Sequence, residues 1–153
     1  MAATYNSHKV FGNANLRMRD FDPDGTAATV VDLDPATGGE GLLIENFRHF
    51  VAGLFRSVGT GTVAEFSIIA DTDDDMATTP TVVVQHALGS APDAVGDTIW
   101  LECDVEQIRE VLATATYVGV RIDLATATDE CVVFFGRFEP AYPTRNLTAD
   151  AIA

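Results

Sequence analysis

Strand-like segments recur from Gly59 to Arg137, and this recurrence constrains the fold more than any other feature of the chain. Each segment is rich in Val, Ile, Thr or aromatic residues and is bounded by Gly, Pro, Asp or Ala-Thr connectors, a pattern typical of strands joined by turns. It predicts a mainly β fold, an antiparallel β-sandwich or barrel-like sheet. The expected strands are Thr62–Asp71, Thr81–Leu88, Thr98–Cys103, Thr116–Leu124 and Glu130–Phe138.

Length and composition predict one folded domain with a terminal arm at each end. A chain of 153 residues with 47% hydrophobic and 21% charged residues can bury a single core. Residues 1–39 are polar and turn-rich, and we expect them to form an N-terminal arm or peripheral hairpin. Residues 40–138 form the predicted β-rich core domain. Residues 139–153 contain Pro140 and Pro143 and are expected to form an extended C-terminal arm.

One short helix is predicted at Asp104–Leu112. Asp104 is a favourable N-cap residue, and Glu106 places a negative charge in the first turn. We expect this helix to connect two strands across the edge of a sheet. Its predicted apolar face consists of Val105, Ile108, Val111 and Leu112.

The segment 42–55 carries a second periodic pattern, whose apolar residues recur at spacings of three and four. This spacing predicts a helix of about three turns with one buried face. The aromatic content leaves a long strand as the alternative. The residues that define the pattern are Leu43, Phe47, Phe50, Val51, Leu54 and Phe55.

The charge balance disfavours a DNA-facing role. The formal net charge is −14, and Lys9 is the only lysine, so the chain lacks the clustered cations that neutralise phosphates. No apolar run is long enough to span a bilayer, and the first 20 residues lack the apolar centre of a signal peptide. We therefore expect a soluble protein made in the cytoplasm, without direct nucleic-acid or membrane binding.

Two acidic segments and two cysteines are the candidate metal or redox positions. Asp20–Gly25 matches the opening of a calcium loop, but its twelfth position is Val31 instead of a bidentate Glu. Asp71–Asp75 is an unbroken acidic run, which is typical of a solvated loop. Cys103 and Cys131 lie in separate strands, and we expect buried thiols, with a cross-strand disulfide as the alternative. No metal site is predicted.

Residues that could take part in catalysis are present without a catalytic arrangement. The histidines are separated, no serine has a nucleophile motif, and 59–61 lacks the third glycine of a dinucleotide loop. Glu102 and Asp104 are paired acids at a strand end without an identifiable partner. We predict no enzyme, no catalytic residue and no cofactor. The residues considered are His8, His49, His86, Ser57, Ser67, Ser90, Glu102, Asp104 and the sequon Asn146–Thr148.

Three segments, Thr60–Asp73, His86–Val111 and Thr116–Arg137, resemble small virion structural proteins of tailed bacteriophages and prophages. The resemblance covers about Phe47 to Arg137. It lies in the general character of the segments and in their order along the chain. It implies a non-enzymatic capsid decoration or cement protein on the outside of an icosahedral head. The implied partners are the major capsid protein and copies of the chain itself, in a trimer or small ring.

Two other functions follow from the same β fold. One is a tail-tube or head-completion subunit, which also assembles through a β-sandwich. The other is a module that binds carbohydrate or another ligand, for which exposed aromatic residues are required. Core packing is expected to explain most of the candidate aromatic residues, which are Trp100, Tyr117, Phe134 and Phe135.

Overall fold

Two antiparallel sheets pack face to face in the structure, a computed structural model that describes residues 16–21, 28–33, 40–45, 47–59, 62–77, 79–86, 94–124, 126 and 128–138. The predicted fold class is confirmed: the protein is mainly β, an antiparallel sandwich with a short helix. The described strands are β1 Leu16–Phe21, β2 Thr29–Val30, β3 Leu42–Leu43, β4 His49–Val58, β5 Val63–Asp71, β6 Thr81–Gln85, β7 Thr98–Asp104, β8 Tyr117–Leu124 and β9 Glu130–Phe138; the helix, α1, is Val105–Val111.

The described strands are divided between two separate sheets. The four-stranded sheet has the order β1-β9-β4-β7, and the five-stranded sheet has the order β2-β8-β5-β6, with β3 also paired to β8. Every pairing is antiparallel. Strands β5 to β9 confirm the five strands expected from the sequence, with ends that differ by no more than a few residues.

The predicted helix is confirmed as α1. Asp104 caps it reciprocally: its carboxylate accepts a hydrogen bond from the Gln107 backbone N–H at 2.8 Å, and the Gln107 side chain accepts one from the Asp104 N–H at 3.0 Å. Ile108 is buried, and α1 contacts both β6 and β7, the edge strands of the two sheets. The helix therefore closes one side of the sandwich.

The helix predicted over 42–55 is wrong, and the alternative of one long strand is right only in part, because two separate strands in different sheets occupy the segment. This segment contains β3 and most of β4, and β4 pairs with β7 on one side and β9 on the other. Phe50, Ala52 and Leu54 alternate into the core, whereas Val51 and Phe55 lie on the opposite side of the sheet. Because apolar residues occupy both sides of β4, the combined spacing imitates that of a helix.

The core lies between the two sheets and consists mostly of apolar side chains. Phe50 of β4 and Phe135 of β9 stack with their ring centroids 6.5 Å apart. Cys103 and Cys131 are buried free thiols, as expected, and burial together with Asp104 raises the pKa of Cys103 to about 12. The main contributions from the opposite sheet are Phe66, Ile68, Val118, Val120, Ile122 and Leu124.

Parts of the predicted N-terminal arm contribute to both sheets. Leu16–Phe21 pairs with β9, and Thr29–Val30 pairs with β8. Val31 and Leu33 are buried in the core. Residues 1–15, 22–27 and 34–39, together with the predicted C-terminal arm 139–153, lie outside the described residues, and the predicted division into arms and core stays a prediction.

Candidate functional site

The outward side of the four-stranded sheet carries a group of apolar and aromatic side chains. Strand register places them in rows across β7, β4 and β9: Trp100, Gly53 and Phe134 form one row, and Thr98, Phe55 and Val132 form the next. Phe55 is 46% exposed and Trp100 is 60% exposed. We call this surface the aromatic face, formed by Val51, Phe55, Trp100, Val132, Phe134 and Phe138.

Glycines beneath the rings allow the aromatic face to lie flat on the sheet. A Cβ atom at Gly53 would lie 2.6 to 2.9 Å from three atoms of the six-membered ring of Trp100. A Cβ atom at Gly136 would lie 2.5 Å from Cε2 of Phe138. The rings therefore occupy the space that side chains would fill at these two positions, and the Trp100 indole lies across β4 with much of its surface open to solvent.

Trp100 and Phe134 contact each other edge to face. Their ring centroids are 5.5 Å apart, and their planes meet at 68°. This is a favourable geometry for an aromatic pair, because the positive edge of one ring faces the negative face of the other. The contact restricts the orientation of the indole.

Core packing does not explain Trp100, contrary to the sequence-based expectation. Phe135 is fully buried, as expected, whereas Tyr117 and Phe134 are only partly buried and Trp100 is exposed. A signal was present in the sequence: Trp100 alternates with Ile99 and Leu101 and therefore shares its side of β7 with Thr98 and Glu102.

The ionisable side chains beside the aromatic face are mainly acidic. Nε2 of His49 lies 3.6 Å from Oε2 of Glu102, and the Glu102 side chain remains 76% exposed. Asp104 and Glu130 occupy further outward positions of the same sheet. Outward positions of β4, β7 and β9 hold no Lys or Arg. The surface therefore combines exposed aromatic rings with negative charge.

A polar network occupies the outward side of the five-stranded sheet. Arg121 donates to Oε1 of Glu65 from Nε at 2.8 Å, and its Nη2 lies 2.7 Å from the same oxygen. Ser67 also donates to this oxygen, at 2.7 Å. Burial, and then the charge of Glu65, raises the pKa of Asp123. The network joins β5 to β8 through Glu65, Ser67 and Arg121, whereas Oδ1 of Asp123 is buried without a hydrogen-bond partner among the described residues.

A buried ion pair joins Arg56 of β4 to Asp129, which directly precedes β9. Both side chains are almost completely excluded from solvent. Nε of Arg56 also donates to the Gly59 carbonyl at 3.2 Å. Gly59 has a φ of +94°, and a side chain there would collide with the Asp129 carboxylate. The pair fixes the turn after β4 against the turn before β9.

The acidic segments show no metal-binding geometry in the part of the chain that is described. Within those residues, no group of three or more His, Cys, Asp or Glu side chains is arranged to hold an ion. Asp71 is buried and accepts a hydrogen bond from the Thr72 N–H at 2.6 Å, while Asp73–Asp75 are exposed. The pKa of nearby Glu40 is raised, first by burial and then by the negative charges of Asp32 and Asp75. Asp20 lies in β1, and 22–25 lie outside the described residues.

The remaining sequence candidates are dispersed. His49 lies on the aromatic side of β4, and the backbone N–H of His86 donates to the Phe66 carbonyl at 2.9 Å. Ser57 is on β4 in the four-stranded sheet, and Ser67 is on β5 in the five-stranded sheet. Of these four positions, His49 lies beside Glu102 and Ser67 donates to Glu65. His8, Ser90, 60–61 and the sequon 146–148 lie outside those residues.

Comparisons with known proteins give similarity of shape only. No family model and no curated protein matches the chain. A similar solved structure is the K1 cleaved adhesin domain of Lys-gingipain from Porphyromonas gingivalis W83, with 13% identity, a TM-score of 0.39, and coverage of 80% of this chain and 87% of that one. The K2 cleaved adhesin domain of Lys-gingipain has 12% identity, a TM-score of 0.37, and coverage of 80% and 90%. None of the described helices is long and apolar enough to cross a membrane.

Proposed function

We propose that this protein is a non-enzymatic structural protein of a tailed-phage virion, bound to the outside of the head as a decoration or cement protein. The observation that carries the proposal is the aromatic face, where Trp100 and Phe55 are exposed on a rigid sheet. The sequence resemblance of Thr60–Asp73, His86–Val111 and Thr116–Arg137 to virion structural proteins supports the choice of assembly.

Exposed aromatic residues on a preformed surface favour a docking function. Aromatic side chains contribute strongly to protein interfaces because they bury a large area while losing little conformational entropy. Here Gly53 and the Phe134 contact already hold Trp100 in place. Little further ordering of the indole is needed when a partner covers it, so the burial energy is available for binding.

The polar clusters of the described residues support a structural function over a catalytic one. Arg56 and Asp129 are enclosed by the core, and Glu65 is occupied by Arg121 and Ser67. Groups that are committed to one another in this way hold neighbouring strands of each sheet in register.

The proposed partners are the major capsid protein and further copies of this chain. A decoration protein occupies repeated positions on a symmetric shell, where several weak contacts act together. Assembly as a trimer or small ring, through surfaces other than the aromatic face, would present several aromatic faces to the capsid. Each face could then be modest in area.

A sedimentation experiment tests the proposal. Heads assembled without this protein are titrated with the wild type, with Trp100→Ser and with Val111→Ser. Val111 is a matched control, because it is an exposed apolar residue on α1, away from the aromatic face. Trp100→Ser should weaken binding by at least about thirtyfold, since an aromatic anchor contributes roughly 2 kcal/mol or more. Val111→Ser should bind like the wild type.

Two results would contradict the proposal. Equal binding of Trp100→Ser and the wild type would exclude the aromatic face as the attachment surface. Labelling of the tail instead of the head, by electron microscopy with a gold-tagged antibody, would favour the tail-tube or head-completion alternative.

The exposure of Trp100 also favours a second candidate, a β-sandwich module that binds carbohydrate or a small ligand. An array of immobilised glycans distinguishes it from the first. Saturable binding of one glycan, lost in Trp100→Ser and retained in Val111→Ser, would support the module.

A further inference from the structure

We propose that the aromatic face binds a cationic segment of its protein partner, with an arginine side chain stacked on Trp100 and paired with Glu102. This inference deepens the proposed function and rests on it, because it states the chemistry of the surface to which the face attaches. It follows from the charge around the face, from the position of the indole and from the polar groups beside it.

Charge complementarity favours a cationic occupant. Glu102, Asp104 and Glu130 lie at outward positions of β7 and β9, and outward positions of β4, β7 and β9 contain no Lys or Arg. The whole chain carries a formal charge of −14. A second copy would bring the same acidic surface against this one, and a nucleic acid would bring phosphates, so both occupants would be repelled.

The indole and the carboxylate are spaced for one guanidinium group. Trp100 and Glu102 project from the same side of β7, two residues apart, which is about 7 Å along a strand. A guanidinium over the indole can make a cation–π contact and direct its N–H groups towards the carboxylate. Glu102 contacts His49 on β4 but keeps a 76% exposed side chain, so its second oxygen can accept a partner.

The geometry favours arginine over a sugar. Sugar rings stack on aromatic faces and also use surrounding hydrogen-bond donors for their hydroxyl groups. Phe134 meets Trp100 at 68°, so these two rings do not form a continuous flat platform. At outward positions of β4, β7 and β9, His49 and Thr98 can donate to hydroxyl groups, but no Asn, Gln, Lys or Arg is present.

Tryptophan fluorescence tests the inference directly, because Trp100 is the only tryptophan in the chain. The full-length protein is titrated at low salt with a tri-arginine amide peptide and, separately, with the tri-citrulline peptide of the same shape. We expect a saturable change in emission with tri-arginine, at peptide concentrations up to about millimolar, and no change with tri-citrulline. Added salt should weaken the response.

Three variants locate the site. Glu102→Gln should weaken tri-arginine binding about two- to fivefold, the effect of one exposed charged contact. Glu106→Gln is the matched control, since it removes the same charge from the exposed side of α1. Gly53→Ala should displace the indole and reduce the response while both Trp100 and Glu102 remain. Circular dichroism establishes that each variant is folded.

Three outcomes would overturn the inference: an equal response to tri-citrulline, an equal loss of affinity in Glu102→Gln and Glu106→Gln, or a saturable response to a glucose hexasaccharide. Binding to heads tests the proposed function separately from the arginine site. Heads that bind the wild type, combined with no fluorescence response to tri-arginine, would reject the arginine site alone. A tri-arginine response without binding to heads would retain the site and reject the assembly.

Discussion

At the residue scale, the pair of Arg56 and Asp129 is the most demanding feature of the core. Each charge loses its hydration on folding, and the other charge and the Gly59 carbonyl are among the groups that replace that water. Such a pair specifies one arrangement of the two turns, because any shift would leave a charge unpaired. Its contribution to stability is therefore best tested by removing one charge and then both.

We expect Asp129→Asn to lower the free energy of unfolding by about 3 to 5 kcal/mol, because the buried Arg56 would lose the carboxylate with which it is paired. The double variant Arg56→Met with Asp129→Leu should recover most of this loss. Urea unfolding measures both, with Glu110→Gln on the exposed surface of α1 as the control. A loss below about 1 kcal/mol for Asp129→Asn would mean that the turn relaxes and hydrates the arginine.

Asp123 provides a pH-dependent prediction with a defined sign. Burial and Glu65 raise its pKa in the folded state above the reference value of 3.8. The ionised carboxylate therefore destabilises the fold at neutral pH. As the pH falls through the raised pKa, the folded state takes up the proton first, so the free energy of unfolding increases until the pH passes below 3.8.

Asp123→Asn should therefore be more stable than the wild type at pH 7, and the difference should shrink as the pH approaches 3.8. Thermal unfolding of both proteins across this range measures the difference. Glu106→Gln, which removes an exposed acid from α1, controls for the general loss of negative charge. A difference between Asp123→Asn and the wild type that stays constant with pH would show that Asp123 acts through its shape instead of its charge.

At the element scale, the sequence predicted those strands whose two sides differ. β7 alternates Ile99, Leu101 and Cys103 inward with Thr98, Trp100 and Glu102 outward, and its bounds were nearly correct. α1 was predicted because its cap is local, with Asp104 and Gln107 three residues apart. These signals depend only on neighbouring residues, so they can be read without knowledge of the tertiary fold.

Elements that depend on distant partners were less predictable. β4 is apolar on both sides, and only its pairing with β7 and β9 distinguishes it from a helix. β1 pairs with β9 from the opposite end of the chain, and β2 and β3 are two-residue strands that exist through pairing with β8. Such contacts cannot be predicted from the composition of one segment, because they depend on residues elsewhere in the chain.

The aromatic face was missed for a related reason. Its members come from strands that are separate in the sequence, so no single segment shows that Trp100, Phe55 and Phe134 share a surface. The exposure of Trp100 could be read from the alternation of β7, but its contact with Phe134 required the register of β4 and β9. The site thus exists only because β4, β7 and β9 pair in this register.

At the scale of the whole molecule, the charge of −14 acts on every folded contact. Asp and Glu total 23 against nine Lys and Arg, so the compact state gathers like charges that the unfolded chain would hold further apart. This repulsion opposes folding at low ionic strength and also opposes self-association of acidic surfaces. The screening of charge by salt should affect both.

We expect the melting temperature to rise when NaCl increases from about 10 mM to about 150 mM, because the screening length falls from about 30 Å to about 8 Å and weakens the repulsion among the acids. The buried pair of Arg56 and Asp129 lies away from solvent and should contribute little to this change. Scanning calorimetry in NaCl and in CaCl2 at equal ionic strength separates general screening from specific ion binding. Similar melting temperatures in the two salts would fit the exposed position of Asp73–Asp75 and the absence of an ion-binding group among the described residues. Saturable stabilisation by micromolar calcium would contradict this expectation and would indicate a calcium site, for which the acidic segments are the candidates.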